Sequence, residues 1–230
     1  APADHASVVV VGNPDWDGLV TDESERAAAK AMLASRLGLD PARRCLLFCS
    51  QPQSEFHARV MIEASAGLAN TEVLIKVHPS EDAGLYRRMA SGSGVVVIAH
   101  GETPLQQVLR AADAAVMFSS TTNIEAMLLG TPVITLATEG VAGMDRLLKL
   151  EEFGLPIATD AVGLRDLLQE VVGDPEAFRE RCRPGMDAVL GAVVSRVPGR
   201  GAAVRAADEV AGLISRAARN QAVRSELAAA

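Results

Sequence analysis

Five short apolar runs punctuate this chain: VVVV (8–11), CLLFC (45–49), VLIKV (73–77), VVVIA (95–99) and AAVMF (114–118). Segments with apolar residues at helical spacing stand between them. A strand that is apolar throughout must be covered on both faces, and strands that alternate with helices pair in parallel. The pattern therefore dictates an α/β chain, a doubly wound parallel Rossmann-like sheet with a C-terminal helical tail. With 230 residues, 49% of them hydrophobic, there is material for the core.

The spacing predicts strands over 8–11, 44–50, 72–77, 95–99, 114–118, 133–136 and 155–158. It predicts helices over 23–37, 55–69, 82–89, 104–111, 123–129, 162–172, 175–182 and 201–218. Residues 140–150 read as a loop running into a helix. Gly38 and Gly130 mark helix ends, and Thr103-Pro104-Leu105-Gln106 reads as a helix start with a capping hydroxyl. The expected organisation is a linker remnant over 1–7, a Rossmann-like domain over 8–200, and its C-terminal helix and tail over 201–230.

A net charge of −7 argues against a nucleic-acid partner, which needs clustered Lys and Arg. No apolar run nears the roughly 20 residues that span a bilayer, so no transmembrane segment is expected. The three cysteines lack metal spacing, and Cys45 and Cys49, on one face of a strand, read as small hydrophobes. Such cysteine usage fits a reducing compartment. The expected localisation is cytoplasmic, including the inner face of the membrane. No P-loop, GxGxxG, nucleophile elbow or metal-ligand cluster stands in the sequence, so neither metal nor cofactor is expected.

Ligands of open parallel sheets bind at the carboxyl ends of the strands. The loops to inspect are therefore 12–17, 51–54, 78–82, 101–103 and 119–122. The last contains four hydroxyls, Ser119, Ser120, Thr121 and Thr122. Thr122-Asn123-Ile124-Glu125 reads as a capping box, which leaves the first three unexplained. A helix start there offers N–H groups and a positive dipole end to a phosphate.

His78 is held extended by Pro79 and faces the strand ends as a phosphate donor or titrating group. Lys76, two residues earlier, is either a second cation for the ligand or an ion pair with Glu81. Gln51 is a candidate for a base or sugar contact, and Ser54 for the next helix cap. Gly12, Asn13 and Pro14 open a turn after the first run. The acidic residues Asp15, Asp17, Glu81 and Asp82 read as caps and solvated charges. With one Trp, one Tyr and five Phe, stacking on a base falls to Trp16, Phe118, Phe153 or backbone. Metal-free binding of a nucleotide diphosphate is the chemistry these residues support.

In their order, GNPDWD (12–17), LIKVHPSED (74–82) and FSSTTNIEAMLLGTPVI (118–134) resemble the C-terminal, nucleotide-sugar-binding half of GT-B-fold glycosyltransferases. Bacterial capsule and surface-carbohydrate enzymes, CDP-glycerol glycerophosphotransferases and UDP-GlcNAc 2-epimerases are similar. The tail GRGAAVRAADEVAGLI (199–214) resembles the closing segment of that group. The resemblance implies that Ser119, Ser120, Thr121 and Thr122 bind donor phosphates, that Glu125 holds ribose hydroxyls, and that His78 lies by the phosphates. It matches Gly12, Asn13 and Pro14 to the turn that opens the C-terminal half.

It also implies a UDP-, CDP- or CMP-linked sugar donor as substrate and an N-terminal acceptor-binding domain as partner. The chain begins about one strand before the Gly-Asn-Pro turn, so the expectation is a donor domain apart from that half. The epimerase pattern of a Gly-Gly pair and two consecutive Glu is replaced here by Thr121, Thr122 and a single Glu125, which favours transfer over epimerisation. The alternatives are an isomerase and a non-catalytic nucleotide- or partner-binding domain.

Overall fold

The computed structural model describes residues 9–19, 22–138, 149–194 and 200–229. Contacts divide it into two compact units, Leu19–Ala192 and a smaller one of Ala1–Gly18 with Val193–Ala230. The expected loop over 140–150 falls outside the described residues except at its end, where Leu150–Phe153 form a 3₁₀ turn.

The larger unit is a six-stranded sheet of β1 (Arg44–Cys49), β2 (Thr71–Lys76), β3 (Val96–Ile98), β4 (Ala114–Met117), β5 (Val133–Leu136) and β6 (Ile157–Ala158). Its order is β3-β2-β1-β4-β5-β6, and every pairing is parallel. Right-handed crossovers then place helices on both faces. On one, α1 (Glu23–Leu37) packs on α4 (Leu105–Ala111), and α4 on α5 (Thr122–Leu128). On the other, α2 (Glu55–Ser65) packs on α3 (Ala83–Met89) and α6 (Ala161–Gly173). The central strands are sealed: Leu46, Leu47, Leu74, Ile75, Ala115, Val116 and Ile134 have no exposed surface. The winding reverses between β1 and β4, where a crevice opens at the carboxyl ends.

At the amino end of the sheet the charges are tied to backbone. Arg26 of α1, 8% exposed, donates to the carbonyls of Arg110, Ala112, Leu129 and Gly130 at 3.1–3.3 Å. These are the orphan carbonyls at the ends of α4 and α5. Asp113 accepts from the Cys45 N–H at 2.7 Å and from Lys30 at 3.2 Å. Helix α1 itself begins with a capping box, Asp22 with Glu25, and stops at Gly38 in the left-handed region, φ 68°.

Two expectations fail here for physical reasons. Helix α7 (Pro175–Val193) runs past the expected end at 182, through Pro184 and Gly185. Gly185 is a contact rather than an ending, because a Cβ there would lie 2.5 Å from the Phe153 carbonyl oxygen. Helix α2 ends at Ser65, short of 69, ahead of Gly67 with φ 71°.

In the smaller unit, the run over 8–11 is not a strand over its described residues 9–11; Val9 and Val10 are 52% and 76% exposed. A β-branched run becomes a strand only beside a partner, and the Val11 carbonyl instead accepts from Arg205 Nε at 2.9 Å. Pro14–Trp16 form a 3₁₀ turn, with Asn13 Oδ1 accepting from the Asp15 N–H. Asp17 accepts from the N–H groups of Ala202 and Ala203 and so caps α8 (Ala202–Ala229), as its acidic reading implied. Those bonds lower the Asp17 carboxyl below its ordinary pKa. Gly201 leaves room for that carboxylate, since a Cβ would sit 2.6 Å from Oδ2.

Candidate functional site

A cavity of about 320 Å³ opens at the carboxyl ends of β1, β2 and β3 in the larger unit. Its walls are mostly apolar, with Cys49, Val77, Pro79, Pro104 and Leu105 among them. Into this lining the chain sets Lys76, His78, His100, Thr103 and Thr122. Lys76, His78 and Thr122 are thus brought together as the sequence suggests. Thr103, read from the sequence as a helix cap, and His100, just ahead of the selected loop 101–103, were missed as site residues. What would have found them is position alone, the turn directly after β3.

Lys76 is 7% exposed and donates to the Ala99 carbonyl at 2.7 Å. Desolvation lowers its ammonium below the ordinary lysine pKa. The alternative pairing with Glu81 is not formed, because Glu81 is occupied elsewhere. Thr103 is 2% exposed, and its hydroxyl has no partner among the described residues. It does not cap α4, whose N-cap is Pro104. His78 accepts the Ser80 N–H on Nδ1 at 3.2 Å, with Ser80 Oγ 2.8 Å away. The neutral ring therefore carries its proton on Nε2 and can donate from there.

The hydroxyl turn beside this cavity differs from its capping-box reading. Thr121, not Thr122, is the N-cap, without a side-chain bond, and Thr122 opens the helix. Ser120 does the capping: its Oγ accepts the Thr122 N–H at 3.1 Å and its carbonyl the Asn123 N–H. Ile124 N–H bonds to the Thr121 carbonyl. The N–H groups of Ser120 and Thr121 are the ones left without a partner among the described residues. Seven residues of α5 give little macrodipole, so the turn's offer to an anion is these N–H groups and its hydroxyls. Glu125 does not reach back; its Oε2 accepts from Gln106 Nε2 at 3.0 Å.

Gln51 bridges the sheet's reversal point. Its Oε1 accepts the Ser119 N–H at 2.9 Å, joining the loop after β1 to the turn after β4. Ser54 is the N-cap of α2 by position, but its side chain turns back to accept the Gln51 N–H at 2.9 Å. Gly12, Asn13 and Pro14 belong to the smaller unit. Phe118 does not face a ligand: it is 6% exposed and lies against His57, ring centroids 4.7 Å apart. Cys45 and Cys49 are buried free thiols, pushed up to about 12 by desolvation, as small hydrophobes are. Among the described residues no group of three or more His, Cys, Asp or Glu is placed to hold a metal ion. No helix among them is long and apolar enough to cross a membrane.

No family model matches this sequence, and no curated protein matches it. Among solved structures, a variant of the wall teichoic acid polymerase TagF is similar over 93% of this chain and 53% of that one, at 16% identity and a TM-score of 0.59. HepE of Anabaena, in complex with UDP-glucose, is similar over 88% and 55%, at 11% identity and a TM-score of 0.56. The C-terminal CMP-Kdo binding domain of WaaA from Acinetobacter baumannii is similar over 73% of this chain and 99% of that domain, at 14% identity and a TM-score of 0.51. The chain spans about half the length of the first two. The likeness is one of fold, that of a GT-B half-domain.

Proposed function

We propose that this chain binds a nucleotide-activated sugar, UDP-, CDP- or CMP-linked, and serves as the donor half of a metal-independent glycosyltransferase. The observation that carries this reading is the apolar cavity at the carboxyl ends of the strands, with Lys76, His78 and Thr122 on its wall. An apolar pocket with a few polar groups suits a nucleoside, and the adjoining cations and hydroxyls suit its phosphates. The fold supports the reading, because WaaA's similar domain is described as binding CMP-Kdo and HepE's structure as a complex with UDP-glucose.

In the reaction, an acceptor hydroxyl attacks the anomeric carbon from the face opposite the leaving group. The anomeric C–O bond breaks, its electron pair stays with the nucleotide phosphate, and configuration inverts. The acceptor and the base that takes its proton belong to an N-terminal domain. On this side His78 Nε2–H donates to the leaving phosphate oxygen, Lys76 balances its charge, and the Ser120 and Thr121 N–H groups bind beside them. Glu125 holds ribose hydroxyls with its first-turn carboxylate. The product is a cell-surface or capsular glycan, made at the cytoplasmic face of the membrane.

Calorimetric titration with UDP, CDP and CMP, with and without magnesium, tests the reading. Binding of at least one, unchanged by magnesium, is expected. No binding of any would overturn the reading. Glu125→Gln is expected to weaken nucleotide binding more than pyrophosphate binding; equal losses would leave Glu125 a structural residue.

A further inference from the structure

We propose that Glu81 is a positioning residue, the single acceptor on which a hydrogen-bond network converges to fix the phosphate-facing loops after β1, β2 and β4. This rests on the nucleotide-sugar reading above. The protons in the network can be ordered one by one. Tyr86 OH donates to Glu81 Oε1 at 2.7 Å, and Ser50 Oγ donates to Glu81 Oε2. With the Tyr86 proton committed, the 3.2 Å contact between Ser54 Oγ and Tyr86 OH has Ser54 as donor.

Both serines then use their oxygens to accept backbone N–H groups: Ser50 takes that of His78 at 2.8 Å, and Ser54 that of Gln51 at 2.9 Å. Gln51 in turn accepts the Ser119 N–H at 2.9 Å. Every hydroxyl donates toward the carboxylate, directly or through Tyr86, and the branches end on the backbone N–H groups of His78, Gln51 and Ser119, beside the proposed phosphate contacts. Tyr86 is fully buried, and burial with the Glu81 bond pushes its phenol up to about 12, so it stays a donor.

An amide cannot replace this carboxylate, because one of its two ends donates and must reverse an arm of the network. Glu81→Gln and Tyr86→Phe both test the assignment. Tyr86→Phe keeps the ring and removes one arm, so it carries the test if Glu81→Gln fails to fold. Two readouts are needed: calorimetry of UDP, CDP and CMP against uridine and cytidine, and ¹H–¹⁵N amide spectra.

The expected result is a roughly tenfold loss of affinity for the phosphorylated ligands with nucleoside binding intact. The amide signals of His78 and Ser119 should shift together. Equal loss of nucleotide and nucleoside binding would overturn the proposal by making the network a general support. Unchanged nucleotide affinity in both folded variants would overturn it as well, with the nucleotide reading standing. A wild-type chain that binds none of the three nucleotides would instead sink the nucleotide reading on which it rests.

Discussion

The two ends of the one sheet treat their buried polar groups differently. At the amino end the buried charges Arg26 and Asp113 are matched to backbone or to an opposite charge, Arg26 by four carbonyls and Asp113 by the Cys45 N–H and Lys30. At the carboxyl end the Lys76 ammonium is likewise tied to a backbone carbonyl, that of Ala99, but the Thr103 hydroxyl in the same cavity wall is unpartnered among the described residues. A buried polar group without a partner costs about 1–3 kcal/mol. That cost is compatible with a folded chain because the amino end secures the helices that flank the cavity. On the proposed function, the difference assigns stability to one end and recognition to the other.

Removing Arg26 attacks the amino end. Arg26→Ala leaves four carbonyls at two helix ends without their donor, two of them in buried contacts. A stability loss of about 3 kcal/mol is expected, read as a lower midpoint in urea unfolding at constant slope. Intact stability with impaired UDP binding would put recognition at the wrong end and break the comparison.

Lys76→Met attacks the carboxyl end and should do the reverse. Loss of a charge-assisted contact to phosphate lowers UDP affinity roughly tenfold. Stability should not fall, because a desolvated ammonium is replaced by an apolar chain of similar length. Thr103→Val is smaller. Deleting a buried, unpartnered hydroxyl at constant shape should raise stability by about 1 kcal/mol. If Thr103→Val is destabilising by that amount instead, the hydroxyl has a partner in solution and the cavity is less open than its geometry says.

The sheet was legible because a strand covered on both faces is written as an unbroken apolar run. It failed at 8–11, where the same letters lack a neighbouring strand and composition says nothing of pairing. His78 and Thr122 were legible from their place after strands and Lys76 as a charge at the end of an apolar one, and they share one cavity. The roles of Ser120, Gln51 and Glu81 were not. Which of four adjacent hydroxyls caps is settled by local turn geometry that the letters do not specify, and the loop a glutamine reaches lies 68 positions away in sequence. Glu81, read as a solvated charge, accepts two hydroxyls, that of Tyr86 from the helix just after it and that of Ser50 from a strand end that only the fold brings near.

The smallest effect probes how little charge the carboxyl end tolerates. His57 of α2 is fully buried against Phe118, and neither ring nitrogen has a partner among the described residues. Burial lowers its pKa below the ordinary 6.5. The unfolded chain therefore binds a proton near pH 6.5 that the folded one refuses, and stability rises with pH through that window. The contribution is fully present above 6.5 and is lost as pH falls toward the folded value. Between pH 6.5 and 5.5 it amounts to at most about 1 kcal/mol. His57→Phe keeps an aromatic ring against Phe118 and should flatten this part of the pH–stability curve in urea titrations. A variant with the wild-type slope would show that the proton is taken up elsewhere, and that the ring of His57 finds in solution the partner its surroundings deny it.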